Sequence, residues 1–356
     1  MSLSAVLKAI KTKNSTWTAS ETPLSKLPET ARKRMLGLIV SEEELAKNKV
    51  EIATANALAK KTGFAAPAKC DWRKQNGKNW ITPVKDQKQC GACVAFSVCA
   101  VMETRARIKA NNANLAVNLS ENQLFFCGCP KCCNVGWHFE AALNFAKSTG
   151  VAAESDSSYT PSNKPCPSAS PTMKVTRWKA LRSVAERKES LAQRGPIIAG
   201  MRVFEDFYVY SSGVYQHVQG GFLGNHAITI VGYDDTKHCW ICKNSWGAGW
   251  GEGGFFRVAY EDSCGIDTLF PSYELDVADV GPPPTPGDCS TYLPLLERAL
   301  NSAQTNHELR AALRFYVCDR GQPPVMTAAR TQIVQSVLLI LRHCPQYKET
   351  VCARLG

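Results

Sequence analysis

The hydrophobic pattern along the chain changes character twice. Residues 1 to 66 are Lys-rich and poor in aromatics, with Pro23 and Pro28 interrupting a helical reading that EEELAKNKVEIATANALAKK resumes with good helix formers. This stretch is too polar to form much of a core alone. In residues 67 to 280 Trp, Gly and Cys become frequent. There CVAFSVCAVMETRARIKA spaces its apolar residues as a helix does. Further on, HAITIVGY, HCWICKNSW and GGFFRVAY read as strands separated by Gly and Asp turns. A helical lobe followed by a β-rich lobe predicts an α+β domain with a cleft where the two meet. GPPPTPG at residues 281–287 is a stiff spacer. Residues 288–356 return to helices such as TAARTQIVQSVLLILRH, with cysteines at 289, 318, 344 and 352. They read as a small helical domain stapled by two disulfides, for which three pairings are open.

Composition narrows the classes. The 356 residues are 44% hydrophobic and 21% charged, which suits a globular chain. The net charge of +11 divides as +5, +3 and +3 over the three regions, and no dense basic run with interleaved aromatics points to nucleic acid. Sixteen cysteines, with the sequons at Asn14 and Asn118, favour an oxidising compartment. The start, MSLSAVLKAIKTK, lacks the apolar run of a signal peptide, and the apolar stretches fall far short of a membrane span. A monomer without membrane or nucleic-acid partners is expected.

The stretch Gln87-Lys88-Gln89-Cys90-Gly91-Ala92-Cys93 carries the chemistry. A thiol at a helix start faces the positive end of the helix dipole, which favours the nucleophilic thiolate. A lone cysteine there is more often structural, but His226 follows 133 residues on and Asn244 151 residues on. This spacing, with the Cys-Gly-Ala-Cys core, is similar to that of the papain and cathepsin group. TPVKDQ, LSENQLFFC, GVYQHV, NHAITIVGY, KNSWG and WGEGGFF extend the resemblance over residues 67 to about 275. It implies a papain-like two-lobe fold, with a helical left lobe and a β-barrel-like right lobe, and a cysteine peptidase that needs no metal or cofactor. In that reading Cys93 attacks the scissile carbonyl, His226 is its base, and Asn244 orients the imidazole beneath Trp246. Gln87 joins the Cys93 N–H as oxyanion donor. An inactive homologue kept for binding is the alternative.

The resemblance also implies a substrate strip at Gly136 and a pocket for the second residue on the acyl side (P2). Trp137, His138, Gly200, Gly224 and Ala227 would line that pocket, with Leu269 at its floor, so apolar P2 residues are expected. Val94 stands where the family usually has Trp or Tyr, and Val135 replaces a glycine of the strip. GVYQHVQGGFLGNHAITIVGY resembles the cathepsin B branch, as does Asn14-Ser15-Thr16-Trp17-Thr18-Ala19 followed by Arg34-Met35-Leu36-Gly37. Only 22 residues separate Trp137 from Thr160, too few for that branch's occluding loop, which implies an endopeptidase. The family further implies that residues 1–66 are an inhibitory propeptide, that protein or peptide substrates are the partners, and that the protein works in lysosomes, vacuoles or outside the cell. Its disulfides map as Cys90–Cys133 and Cys127–Cys166, with Cys129–Cys132 as an extra loop, against a zinc knot from the same C-x-C-x-x-C-C run. Cys99 and Cys264 read as buried thiols. Cys239 and Cys242 lie on a strand with opposed side chains, which argues against a metal or redox pair.

Overall fold

The structure is a computed structural model describing residues 2–62, 66–163, 165–261 and 264–278. Beyond these it describes residues 293–319 and 344–356, together with 321, 322, 324, 330, 333, 334, 337, 338, 340 and 341. The chain forms two compact units, Met1–Gly281 and Pro282–Gly356.

In the first unit the left lobe is built on α4 (Cys93–Lys109), α5 (Glu121–Gly128) and α6 (Phe139–Ser148). Every residue of α4 from Cys93 to Ala106 is buried, so this helix is a central post rather than a surface helix with one apolar stripe. The price of such burial is visible at Glu103, which accepts from Thr82 Oγ1 at 2.6 Å and from Lys85 Nζ at 3.0 Å. Ser120 caps α5 by accepting from the Gln123 N–H at 2.9 Å.

The right lobe is a sheet whose middle strand, Phe222–Asp234, is buried from His226 to Tyr233. Ile197–Phe204 and Cys239–Lys243 flank it, and Phe255–Ala259 pairs beyond the latter. Ser272–Val277 and Val175–Leu181 close the other edge. All three strands expected from sequence are present, and the first begins four residues earlier than its apolar run. Both Cys239 and Cys242 are buried because this part of the sheet is covered on both faces.

Residues 2–62, the segment expected to be a propeptide and named the prodomain for that expectation, have no core of their own. Helix α1 (Leu3–Thr12) leads to Thr18–Ala19, which pairs antiparallel with Tyr210–Ser212 of the right lobe. A short helix α2 (Glu29–Lys33) follows, then an extended crossing, then α3 (Glu42–Thr62). Ser41 and Glu44 form a reciprocal cap at the start of α3, Ser41 Oγ accepting at 3.1 Å and Glu44 Oε2 at 2.8 Å. Val6, Trp17, Leu24 and Met35 are buried in the right-lobe core, and Leu38 and Leu45 in the left-lobe core. The prodomain thus changes lobes between Met35 and Leu38.

The second unit holds the helices Leu293–Thr305 and His307–Cys318 and a last helix, Lys348–Leu355. Leu296, Leu300, Leu313, Val337 and Val351 share one apolar core. Cys318 pairs with Cys352, and Cys344 is also in a disulfide. Cys289 and the 281–287 spacer lie outside the described residues.

Candidate active site

Cys93 and His226 come from different lobes. Cys93 opens α4, and its Sγ accepts from the Ala227 N–H at 3.4 Å, which sets the thiol beside the residue that follows His226. His226 Nε2 lies 2.8 Å from Asn244 Oδ1. That oxygen also accepts from the Ser245 N–H at 2.8 Å, which identifies it as the acceptor end of the amide. The His226 proton therefore sits on Nε2, leaving Nδ1 as the basic nitrogen. Trp246 lies over the pair, its ring centroid 4.8 Å from the imidazole, and only 3% of it is exposed.

Gln87 is held at both ends. Its Oε1 accepts from Ser245 Oγ at 2.6 Å, and its Nε2 donates to the Cys90 carbonyl at 2.7 Å. The second Nε2 proton goes to the main-chain carbonyl of Met35, at 3.0 Å. A prodomain carbonyl thus occupies the donor that the sequence assigned to an oxyanion. Tyr159, to which the sequence reading gave no role, fixes the same loop by donating its hydroxyl to the Gln87 carbonyl at 2.9 Å. Lys243, next to Asn244, is buried with its Nζ 3.2 Å from Thr82 Oγ1, and burial brings its pKa down to about 8. Only a burial count could have singled out either residue, and sequence does not supply one.

The prodomain crosses between the lobes through main-chain bonds to both. The Trp137 N–H donates to the Gly37 carbonyl at 2.7 Å, the Ile39 N–H to the Trp137 carbonyl at 3.0 Å, and the Leu38 N–H to the Asn225 carbonyl at 3.2 Å. Leu38 and Trp137 form a parallel bridge. In a parallel bridge the two bonds flank the prodomain residue and share one partner, and here that partner is Trp137 rather than Gly136. Gly136 serves the crossing differently. Its φ is +99°, and a Cβ on it would run into the backbone of Gly37. A Cβ on Gly37 would run in turn into the Gly91 carbonyl, so three glycines let three backbones touch.

The residues expected around P2 separate into groups. Gly200 lies against the Leu38 side chain, with the ring of Phe270 behind it. Ala227 belongs to the same buried cluster as Leu38. Leu269 lies on Gly265 and packs against the same cluster as Leu38, while the aromatic Phe270, one residue on, is the group that backs Gly200. The ring of Trp137 turns into the left lobe toward Gly128, Phe125 and Phe145, and only its main chain faces the prodomain. His138 is exposed beside Glu44 of α3. Gly224 meets Leu36, on the other side of Gly37 from Leu38.

Burial governs the electrostatics. The Cys93 thiol is pushed up to about 11, despite main-chain N–H groups of Ala227, Gly37 and Val94 that favour the thiolate. Burial brings His226 down to about 4, against a weaker upward pull from Asn244 and from the Met35 carbonyl. Both groups are neutral at ordinary pH while the prodomain covers them.

The disulfides of this unit are Cys90–Cys133, Cys127–Cys166 and Cys129–Cys132. They use every sulfur that a zinc knot would need, and no cluster of three or more metal-ligating side chains occurs among the described residues. Cys70, Cys93, Cys99, Cys239, Cys242 and Cys264 stand outside the disulfides, all buried.

Against known proteins, the model of the papain family cysteine protease matches residues 66–273. The chain is 34% identical over 221 residues to cysteine proteinase 1 of Entamoeba histolytica, covering 58% of this chain and 69% of that protein. It is 36% identical to the cathepsin L-like proteinase of Fasciola hepatica, over 58% of this chain and 64% of that one. Among solved structures, procathepsin B S9 of Trypanosoma congolense matches with a TM-score of 0.64 at 20% identity, covering 78% of this chain and 99% of its own, which shows the fold. Relatives named for cathepsin L and for cathepsin B both appear, so a branch within the family is not distinguished by them. A cysteine and a histidine brought together across two lobes, and a family match over more than half its length, make this chain a member of the papain family of cysteine proteases.

Proposed function

We propose that the chain is the zymogen of a cysteine endopeptidase that uses Cys93, His226, Asn244 and Gln87 as its catalytic set. The observation that carries this is the Met35 carbonyl hydrogen-bonded to Gln87 Nε2: a peptide carbonyl already rests on the donor that a reacting one would use. Without Met35 to Leu38, water and substrate reach the pair, and the Cys93 proton passes to His226 Nδ1. The thiolate then attacks the scissile carbonyl carbon, and the oxyanion takes bonds from Gln87 Nε2 and the Cys93 N–H. The C–N bond breaks as His226 protonates the leaving amine, which leaves a thioester on Cys93. Water, deprotonated by His226, attacks the thioester; the carboxylic acid departs and the thiolate is restored.

Apolar P2 residues suit this site, because Leu38 packs there on Gly200 and Phe270. The family's usual substrates are proteins and peptides, and the cysteine count suits a lysosomal, vacuolar or secreted enzyme. Covalent titration with an epoxysuccinyl inhibitor, before and after acidification, is the test. The expected result is a label on Cys93 only after residues 1 to about 66 are lost, with faster cleavage of peptides carrying Leu than Arg at P2. Absence of label in both states would favour a binding homologue, and labelling of the full chain would remove the inhibitory role of the prodomain.

A further inference from the structure

The leaving-group side of the cleft contains an aromatic surface that the catalytic set does not use. Tyr208 stacks on Trp246 with ring centroids 5.0 Å apart and planes within 8°. Trp246 in turn covers His226, so the Tyr208 ring lies one ring beyond the catalytic imidazole. Tyr208 is completely buried, and part of its cover is Arg32 of the prodomain. The Arg32 guanidinium carbon lies 5.2 Å from the ring centroid. The Tyr208 hydroxyl donates to the Arg32 main-chain carbonyl at 2.9 Å. Arg32 Nε is buried and has no hydrogen-bond partner, as suits a guanidinium lying on a ring face. One tyrosine therefore recognises two features of one residue, its cationic side chain and its carbonyl.

Arg32 and Leu38 lie on opposite sides of Met35 along the prodomain, and Leu38 occupies the acyl side next to Gly200. The Tyr208 surface therefore belongs to the amine side of the scissile bond. Burial also pushes the Tyr208 phenol up, so the hydroxyl remains a donor throughout the working range.

We propose that, after the prodomain leaves, Tyr208 stacked on Trp246 forms a subsite that selects a basic side chain, arginine above all, on the primed side of the substrate. The ring takes the guanidinium, and the hydroxyl takes a main-chain carbonyl of the same segment. This rests on the peptidase reading above and adds a specificity that reading does not contain.

The test uses the acid-processed enzyme and internally quenched peptides with Leu fixed at P2 and the cleaved bond identified by mass. Arg, citrulline, Leu and Glu are placed in turn at each of the first three primed positions. Citrulline has nearly the shape of arginine without its charge. At one position Arg is expected to exceed citrulline about 2- to 30-fold in kcat/KM, the range of a cation–π contact. Tyr208→Leu should bring that ratio to about one, and Tyr208→Phe should keep most of it, with rates normalised to titrated Cys93. Equal rates for Arg and citrulline at all three positions in the unmodified enzyme overturn the proposal, and so does a ratio that survives Tyr208→Leu. Failure to cleave any peptide after loss of the prodomain would overturn the peptidase reading itself, and this proposal with it. Cleavage without discrimination overturns this proposal alone.

Discussion

The two segments appended to the catalytic domain, residues 2–62 before it and the described part of 293–356 after it, are both largely helical, yet they bury their apolar residues in opposite ways. Val6, Trp17, Leu24, Met35, Leu38 and Leu45 of the first segment complete the two cores of the catalytic domain. Leu296, Leu300, Leu313 and Val351 of the second form a core among themselves, held by the Cys318–Cys352 disulfide. A segment that borrows its core can be released as a unit, and its order depends on the surface it lies on. A segment with a core and staples of its own keeps its shape regardless.

The largest expected effect tests the second half of that contrast. Replacing Cys318 and Cys352 together by Ala removes a crosslink over 34 residues, which costs about 3–4 kcal/mol in the loop-entropy account. The tail's own unfolding transition should fall steeply in calorimetry while that of the catalytic domain holds. A shift in both would mean that the two units do not unfold independently.

Next in size is Gly37→Ala. The added Cβ meets the Gly91 backbone, which has no side chain to move aside. The peptide 2–62, added to processed enzyme, should lose about a hundredfold in Ki, roughly 3 kcal/mol of overpacking. An unchanged Ki would show that the prodomain's grip lies elsewhere.

The smallest effect per step is the pH dependence of the same Ki. His226 sits at about 4 when covered, against 6.5 for an exposed imidazole, so uncovering it takes up a proton between pH 6.5 and about 4. Acidification through that window therefore favours release, weakening inhibition by at most about tenfold per pH unit. Cys93, pushed up to about 11 from 9, has its own linkage above pH 9 and does not oppose this. A Ki constant from pH 7 to pH 4.5 would mean that the covered and uncovered pairs hold the same number of protons, and would overturn this linkage.

The proposed catalytic set could be named from sequence because its chemistry demands fixed residue types in a fixed order: Gln87, Cys93, His226 and Asn244 are numbered without coordinates, and the fold brings them to one place. The α+β division was readable because the period changes from helical in CVAFSVCAVM to extended in HAITIVGY. Packing was not. Leu269 and Phe270 are neighbours of similar apolar character, and only the fold of the turn at Gly265 decides which of them backs Gly200. Trp137 was expected at the pocket, but its ring faces Phe145 because an indole finds more contact inside the left lobe than at its edge. Arg32 on Tyr208 was invisible because the two are 176 residues apart and join only when the prodomain crosses the cleft.

The neutrality of the covered pair has a chemical consequence beyond inhibition. Peroxide and disulfide exchange attack cysteines as thiolates, and only where they can reach the sulfur. Under the prodomain Cys93 has no exposed surface and is a protonated thiol, so the stored protein keeps its most oxidisable atom in an inert form. In the proposed zymogen the cover that blocks proteolysis thereby also preserves the reagent, and damage by oxidants begins only when that cover leaves.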